Sequence, residues 1–130
     1  MLFIYGTLRE TGRNRHQIEP YIQSLEPAST PGTIFMREGY RSPFLLMKGA
    51  TRISGELIRL KNESEDLKKL DVDEGPNYVR VEIPVSTEEG INVTAWAYVS
   101  IWDELPGNAQ TIDSGDYIAW SKKNIWPLSP

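Results

Sequence analysis

Two short segments of this 130-residue chain hold residue types at a spacing that can do chemistry. In Leu70-Asp71-Val72-Asp73-Glu74-Gly75-Pro76-Asn77-Tyr78-Val79-Arg80, three carboxylates fall within four positions, directly ahead of a Gly-Pro turn. Acids crowded this closely raise the pKa of at least one of them unless cations intervene, and a carboxyl moved towards neutrality is a usable general base. The same residues also fit a solvated acidic turn, with Asp71 at a helix C-terminus and Arg80 as a surface ion-pair partner. In Tyr5-Gly6-Thr7-Leu8, an apolar run ends in a glycine, which lets backbone N–H groups point outward into a small concave nest for a carboxylate or a developing oxyanion. An ordinary strand-to-loop turn has the same signature.

Residue counts remove other chemistries. The chain has no cysteine, which excludes a disulfide framework, a thiol nucleophile and any cysteine-based metal centre. Its one histidine, His16, is enough for a hydrolase triad by count but excludes every multi-histidine metal site, and its polar surroundings read as solvated surface. Fourteen Lys and Arg against 18 Asp and Glu give a net charge of -4, and the four Trp and six Tyr lack an interleaved basic strip, so no nucleic-acid partner is expected. No apolar run approaches the roughly 20 residues of a membrane helix, and no membrane partner is expected. Met1 to Tyr5 is apolar but breaks at Gly6 without a basic leader, which points to a cytoplasmic location.

The elements that must position these segments belong to one domain, residues 1–130, with 39% apolar residues spread from end to end and no internal repeat. Leu2 to Tyr5 reads as a central strand buried on both faces, followed by a loop at Gly6 to Arg9. Ile18, Tyr21, Ile22 and Leu25 recur at helical spacing over Asn14 to Leu25, with Pro20 interrupting, and predict a short or kinked helix. The Pro31-Gly32 turn signal precedes a strand over Thr33 to Arg37, and Glu38 to Gly49 reads as an ordered loop. Thr51 to Leu60 alternates as a strand, with Ile53, Gly55, Leu57 and Arg59 on one face and Ser54, Glu56, Ile58 and Leu60 on the other. Asn62 and Glu65 form a capping box for a brief helix over Leu67 and Leu70, which must stop near Asp71 to Pro76. Tyr78 to Val85 and Ile91 to Ile101 alternate with period two around Glu88-Glu89-Gly90, a predicted antiparallel hairpin. The tail from Glu104 to Pro130 carries Tyr117, Trp120 and Trp126, aromatics that are costly to leave wet, so it is expected to pack back on the domain.

Taken together and in order, these segments resemble the γ-glutamylcyclotransferase-like family, which includes γ-glutamylamine cyclotransferase and AIG2-like plant proteins. The resemblance rests on Phe3-Ile4-Tyr5-Gly6-Thr7-Leu8-Arg9, Ser54-Gly55-Glu56-Leu57, Leu70-Asp71 through Glu74-Gly75 with Tyr78 and Arg80, Ala97-Tyr98-Val99, and Ser114-Gly115-Asp116-Tyr117. It implies an α+β fold, a small mixed β-barrel flanked by short helices, in which the Tyr5–Leu8 loop and the acidic turn meet at one cavity. It further implies that Glu74 is the catalytic acid/base and that Tyr5, Gly6, Thr7 and Leu8 bind the γ-glutamyl moiety. Tyr78 and Tyr98 would supply pocket hydroxyls, although strand alternation fits barrel packing equally well. Asp73 departs from the pattern, since relatives often carry an aromatic or apolar residue before the glutamate.

The implied reaction is the closure of a γ-glutamyl amide to 5-oxoproline with release of the free amine. It needs no metal, cofactor or covalent nucleophile, because the substrate's own α-amino group attacks and orientation supplies much of the rate. The expected partner is therefore a small γ-glutamyl molecule, whose leaving amine the sequence leaves open, as it does the oligomeric state. Asp71 is expected to be structural, bonding backbone N–H groups of the turn so that Glu74 is aimed at the cavity. The alternative is a non-catalytic member of the same fold that keeps the cavity for a small ligand.

Overall fold

The N-terminal apolar run becomes β1 (Leu2–Ile4), a three-residue strand with both faces buried. Phe3 points into one core, while Leu2 and Ile4 point into another, so the segment shows no polar alternation. The computed structural model of the protein describes residues 1–124. Beyond β1 they form β2 (Ile22–Arg37), β3 (Phe44–Leu60), α1 (Glu63–Glu74), β4 (Tyr78–Thr87), β5 (Asn92–Ser100), β6 (Ala109–Thr111) and α2 (Tyr117–Lys123).

The strands lie in the order β3-β1-β5-β4-β2-β6, and an additional pairing of β2 with β3 closes the first five into a barrel. β1 runs antiparallel to β3 and parallel to β5. Two of the ring's seams are short, β1 with β5 at Leu2 and Trp96 and β2 with β4 at Ala28–Ser29 against Ser86–Thr87, and β6 joins β2 beside the ring. The barrel interior is filled by Phe3, Ile34, Leu45, Ile53, Ile83 and their buried neighbours. A second apolar layer forms outside, where Ile58, Leu60 and Tyr98 meet Leu67 and Leu70 of α1. The structure is thus the expected α+β barrel flanked by short helices, and the expected hairpin is β4 paired with β5.

Four expectations about elements are corrected. Asn14 to Leu25 is not a helix but two 3-10 turns, Arg15–Gln17 and Glu19–Tyr21, followed by the start of β2. Pro20 has no N–H to give a helical ladder, and Leu25 pairs with Ile58 across the barrel seam instead. The Pro31-Gly32 signal does not mark a turn between elements: β2 runs through it, with a register shift between Gly32 and Thr33 absorbing the irregularity. The loop expected over Glu38 to Gly49 is confined to residues 38–43, because Phe44, Leu45 and Leu46 are buried in β3 opposite Phe35, Ile34 and Thr33. The Asn62 side chain makes no cap bond; the Asp66 carboxylate accepts the Asn62 N–H at 2.9 Å.

α1 ends where expected. Gly75 stands at φ +77°, a conformation that side chains disfavour, and turns the chain from Glu74 into β4. The tail packs back as far as it is described: Tyr117 is buried in the barrel core and Trp120 packs against it, whereas Trp126 lies outside the described residues. No described helix is long and apolar enough to cross a membrane.

Candidate active site

The Tyr5–Leu8 loop leaves the end of β1 beneath the 38–43 loop. At Gly6 a Cβ would stand 2.8 Å from Pro43 Cγ, so glycine is required by close approach; its φ is not positive. Asn14 holds the loop's far side, its N–H donating to the Thr7 carbonyl at 2.9 Å and its side-chain amide to Thr7 Oγ1 at 2.9 Å. Arg9 reaches Asp116 at 2.8 Å, tying the loop to the cap of α2. Arg15 pairs with buried Glu56 at 2.7 Å, and Glu56 also accepts the Glu10 N–H at 3.0 Å. With the loop held in this way, the N–H groups of Gly6, Thr7 and Leu8 donate to no other described residue.

α1 brings the acidic turn to the same place. Phe3, Tyr5, Gly6, Thr7, Leu8, Ser42, Pro43, Glu74, Tyr78 and Tyr98 line one cleft of about 370 Å³. All seven candidate residues therefore converge, although they lie up to 93 positions apart. A shallower groove outside it shares Glu74, Tyr78 and Tyr98 and adds Asp71, Val79 and Arg80. Glu74 stands at the junction of the two. Burial, reinforced by the neighbouring Asp73 charge, pushes its carboxyl up to about 7, and it has no hydrogen-bond or ion-pair partner among the described residues. Such a group exchanges protons readily near neutral pH.

The three tyrosine hydroxyls are each committed to the protein. Tyr5 donates to the Tyr98 carbonyl and accepts the Leu45 N–H at 3.1 Å, and burial pushes its phenol far above the ordinary range. Tyr78 donates to the Pro43 carbonyl at 2.8 Å while its ring stacks on Phe44. Tyr98 donates to Asp71 at 2.7 Å. Their rings form the wall, which leaves the loop amides and Glu74 as the uncommitted polar groups of the cleft.

Asp71 is placed differently from expectation. Its carboxylate does not bond the backbone of the turn but takes a forked pair of hydrogen bonds from Arg80 at 2.8 and 3.2 Å, together with the Tyr98 hydroxyl. A carboxylate already held by a guanidinium from the adjacent strand has little reach for local N–H groups. Arg80 also lies over the Trp96 ring at 4.4 Å. Asp73 is exposed and does not line the cleft, so its departure from the family pattern leaves the wall unaltered. His16 is exposed, as expected. Sequence reading missed Ser42 and Pro43 as cleft residues and Asn14 as the loop's anchor. The proline beside Phe44 was a rigidity signal, but no spacing rule tied it to Gly6. Among the described residues, no three side chains of metal-ligating type converge.

Comparison with known proteins finds the same fold elsewhere. The chain superposes on the structure of YkqA from Bacillus subtilis with a TM-score of 0.71 and 26% identity, covering 95% of this chain and 42% of that one. This chain thus spans less than half the length of the YkqA structure. An AIG2-like protein from mouse matches with a TM-score of 0.76 and 18% identity over 99% of this chain and 94% of its own. A structure described as a gamma-glutamyl cyclotransferase matches with a TM-score of 0.51 and 17% identity, over 85% and 68%. Comparison with the curated proteins finds no significant match. The family described as gamma-glutamyl cyclotransferase, AIG2-like, matches residues 2–119, which takes in every strand, α1 and the whole cleft, and the chain belongs to that family.

Proposed function

We propose that the protein is a γ-glutamylcyclotransferase-type enzyme that converts a γ-glutamyl amide into 5-oxoproline and a free amine. Family membership points to this class of activity. The observation that carries the reading is that Glu74, a half-buried carboxyl pushed up to about 7, lines the same cleft as Gly6, Thr7 and Leu8, whose backbone N–H groups are uncommitted among the described residues.

In the proposed reaction, Glu74 takes a proton from the substrate's α-ammonium group, whose pKa is near 8. The freed nitrogen attacks the γ-carbonyl carbon, forming the ring C–N bond. Negative charge then collects on the carbonyl oxygen. The Gly6, Thr7 and Leu8 amides hold that oxygen or the α-carboxylate, and a well-placed donor to a developing oxyanion contributes about 3 kcal/mol. Collapse of the tetrahedral centre breaks the bond to the leaving nitrogen, which receives the proton held by Glu74, and the attacking nitrogen gives up its second proton through the same carboxylate to the released amine, so that the lactam keeps one N–H and the amine leaves as an ammonium ion. The groove lined by Asp71, Val79 and Arg80 opens beside Glu74, on the side where the departing amine would leave. Because the attack is intramolecular, orientation in the cleft supplies several kcal/mol of the barrier reduction, and the sparse site suffices.

The test is to supply the purified protein with γ-glutamyl amines, including γ-glutamyl-ε-lysine, with γ-glutamyl amino acids and with glutathione, and to measure 5-oxoproline and free amine. Stoichiometric release of both from at least one substrate is the expected result. Binding of 5-oxoproline without turnover of any of them would overturn the catalytic reading in favour of a ligand-binding module.

A further inference from the structure

A second cavity, of about 440 Å³, lies beside α2 and is lined by Arg13, Arg41, Tyr117, Trp120, Ser121 and Asn124 together with Met36. Among the described residues it shares none with the candidate active-site cleft, and no carboxylate side chain lines it. We propose that this cavity is a separate binding site for a small molecule bearing a carboxylate or phosphate group.

The donors present call for an anion. Arg9, Arg15 and Arg80 each face a carboxylate, whereas Arg13 and Arg41 have no ion-pair partner among the described residues. Arg13 gives an Nη2 hydrogen bond to the Arg41 carbonyl, which ties the two loops together and sets both residues on one wall of the cavity. Exposed and without a carboxylate beside them among the described residues, these two guanidinium groups put positive charge on one wall of the cavity, where an anion would find charge-assisted donors.

Tyr117 supplies an independent observation. The residue is 6% exposed with its ring in the barrel core, it also lines the cavity, and its hydroxyl has no hydrogen-bond partner among the described residues. That hydroxyl is a donor at the edge of the core, close enough to Arg13 to feel its charge. The polar side chains beside it are oriented by other bonds: Ser121 donates its hydroxyl to the Ile118 carbonyl at 2.8 Å, and the Asn124 amide group donates to the Trp120 carbonyl at 2.8 Å. An anion seated against Arg13 and Arg41 would accept the Tyr117 hydroxyl as well, and the Trp120 ring and Met36 would meet the apolar part of the molecule that carries it.

The experiment titrates the full chain with inorganic phosphate and, separately, acetate, at constant ionic strength against chloride, while following backbone amide shifts by NMR. Saturable binding is expected, with shifts at Arg13, Arg41 and residues 117–124 and none at residues 6–8. Arg13→Gln and Arg41→Gln, both at exposed positions, should each weaken it about tenfold, as expected for one charge-assisted contact. Tyr117→Phe, which keeps the ring, should weaken it several-fold. Tighter binding of phosphate identifies a phosphate-bearing ligand and tighter binding of acetate a carboxylate-bearing one; either supports the site. Absence of saturable binding, shifts confined to residues 6–8, or affinity in both arginine variants unchanged from that of the native chain would overturn it.

Discussion

Asp71 and Glu74 stand three residues apart on α1, and the fold drives their proton affinities in opposite directions. Arg80 and the Tyr98 hydroxyl hold the Asp71 carboxyl below its ordinary range, while burial and the Asp73 charge push Glu74 up to about 7. One crowded acidic turn therefore yields a permanently ionised anchor and a proton-exchanging group, which is how environments assign different roles to neighbouring carboxyls.

Glu74→Gln should abolish 5-oxoproline formation, with at least about a hundredfold loss of rate, the order expected for removal of a general base. The amide keeps the shape of the side chain, and a half-buried carboxyl with no partner gains nothing from ionisation, so the thermal midpoint should hold or rise. Turnover assays and melting curves on one preparation check both, and unchanged turnover would remove Glu74 from the proposed mechanism.

The pH dependence has a definite sign. Glu74 must be ionised to accept the substrate proton, so kcat/KM should climb with pH through about 7. Stability should move the other way. The folded pKa lies above the ordinary 4.5, so the folded state holds this proton more tightly, and that contribution is fully present below 4.5 and lost as pH rises through about 7. Its size is on the order of 3 kcal/mol, one pKa unit being about 1.4 kcal/mol. Denaturant unfolding at about pH 4 and about pH 8 should show this fall in the native protein and its absence in Glu74→Gln.

Asp71→Asn breaks the forked pair with Arg80, and the partner chain of bonds to Tyr98 weakens with it. Because the carboxylate is partly exposed, solvent screening limits the loss of stability to about 1 kcal/mol. The lowered pKa of Asp71 gives stability that is present above its ordinary value and lost as the pH falls below it, so the variant should show a shallower acid limb. Turnover should fall less than in Glu74→Gln; the reverse order would mean that Asp71, not Glu74, moves the proton.

Which parts of this were legible in the sequence follows from how local each signal is. β1, the β4–β5 hairpin and the end of α1 could be read because their alternation and the Gly75-Pro76 stop act within a few residues. β2 and β3 were read only in part, as strands over Thr33 to Arg37 and Thr51 to Leu60, because their 13 paired positions run the length of the barrel seam and override Pro31 and Gly32, which locally say turn. Glu74 and the Tyr5–Leu8 loop were found through motif order, whereas Pro43 and Asn14 touch the loop only through tertiary contacts that carry no sequence spacing. For Asp71 the ion pair with Arg80 offered by the plain reading of the turn is the one that forms, and the backbone bonds expected for an aiming role do not, because β4 returns Arg80 alongside α1.

Tyr5→Phe tests whether Tyr5 serves the substrate or the scaffold. Its hydroxyl bridges the Tyr98 carbonyl and the Leu45 N–H, both buried, and removal strands them at a cost of about 1 to 3 kcal/mol. The ring stays in the cleft wall. Equilibrium unfolding should therefore show a clear loss, while KM for a γ-glutamyl substrate moves little in the folded fraction. A large rise in KM without loss of stability would instead mean that the hydroxyl leaves its backbone partners to meet the substrate.

Gly6→Ala isolates the contribution of the loop. The φ at Gly6 is not positive, so alanine meets no backbone penalty and acts through contact alone, its Cβ falling 2.8 Å from Pro43 Cγ and 3.0 Å from Cδ. Either the ring of Pro43 moves, disturbing the carbonyl that accepts the Tyr78 hydroxyl, or the loop shifts and carries the Gly6, Thr7 and Leu8 amides with it. Overpacking of this kind costs about 1 to 3 kcal/mol of stability, and Gly6→Val should cost more. A misplaced set of oxyanion donors should also lower kcat/KM about a hundredfold per donor lost, even in molecules that remain folded. Thr7→Ser keeps the hydroxyl that receives the Asn14 amide and should be mild. Measuring the melting temperature and the kinetics of the folded fraction together separates the two effects: a lower midpoint with normal kcat/KM would make the Tyr5–Leu8 segment a tight turn and nothing more.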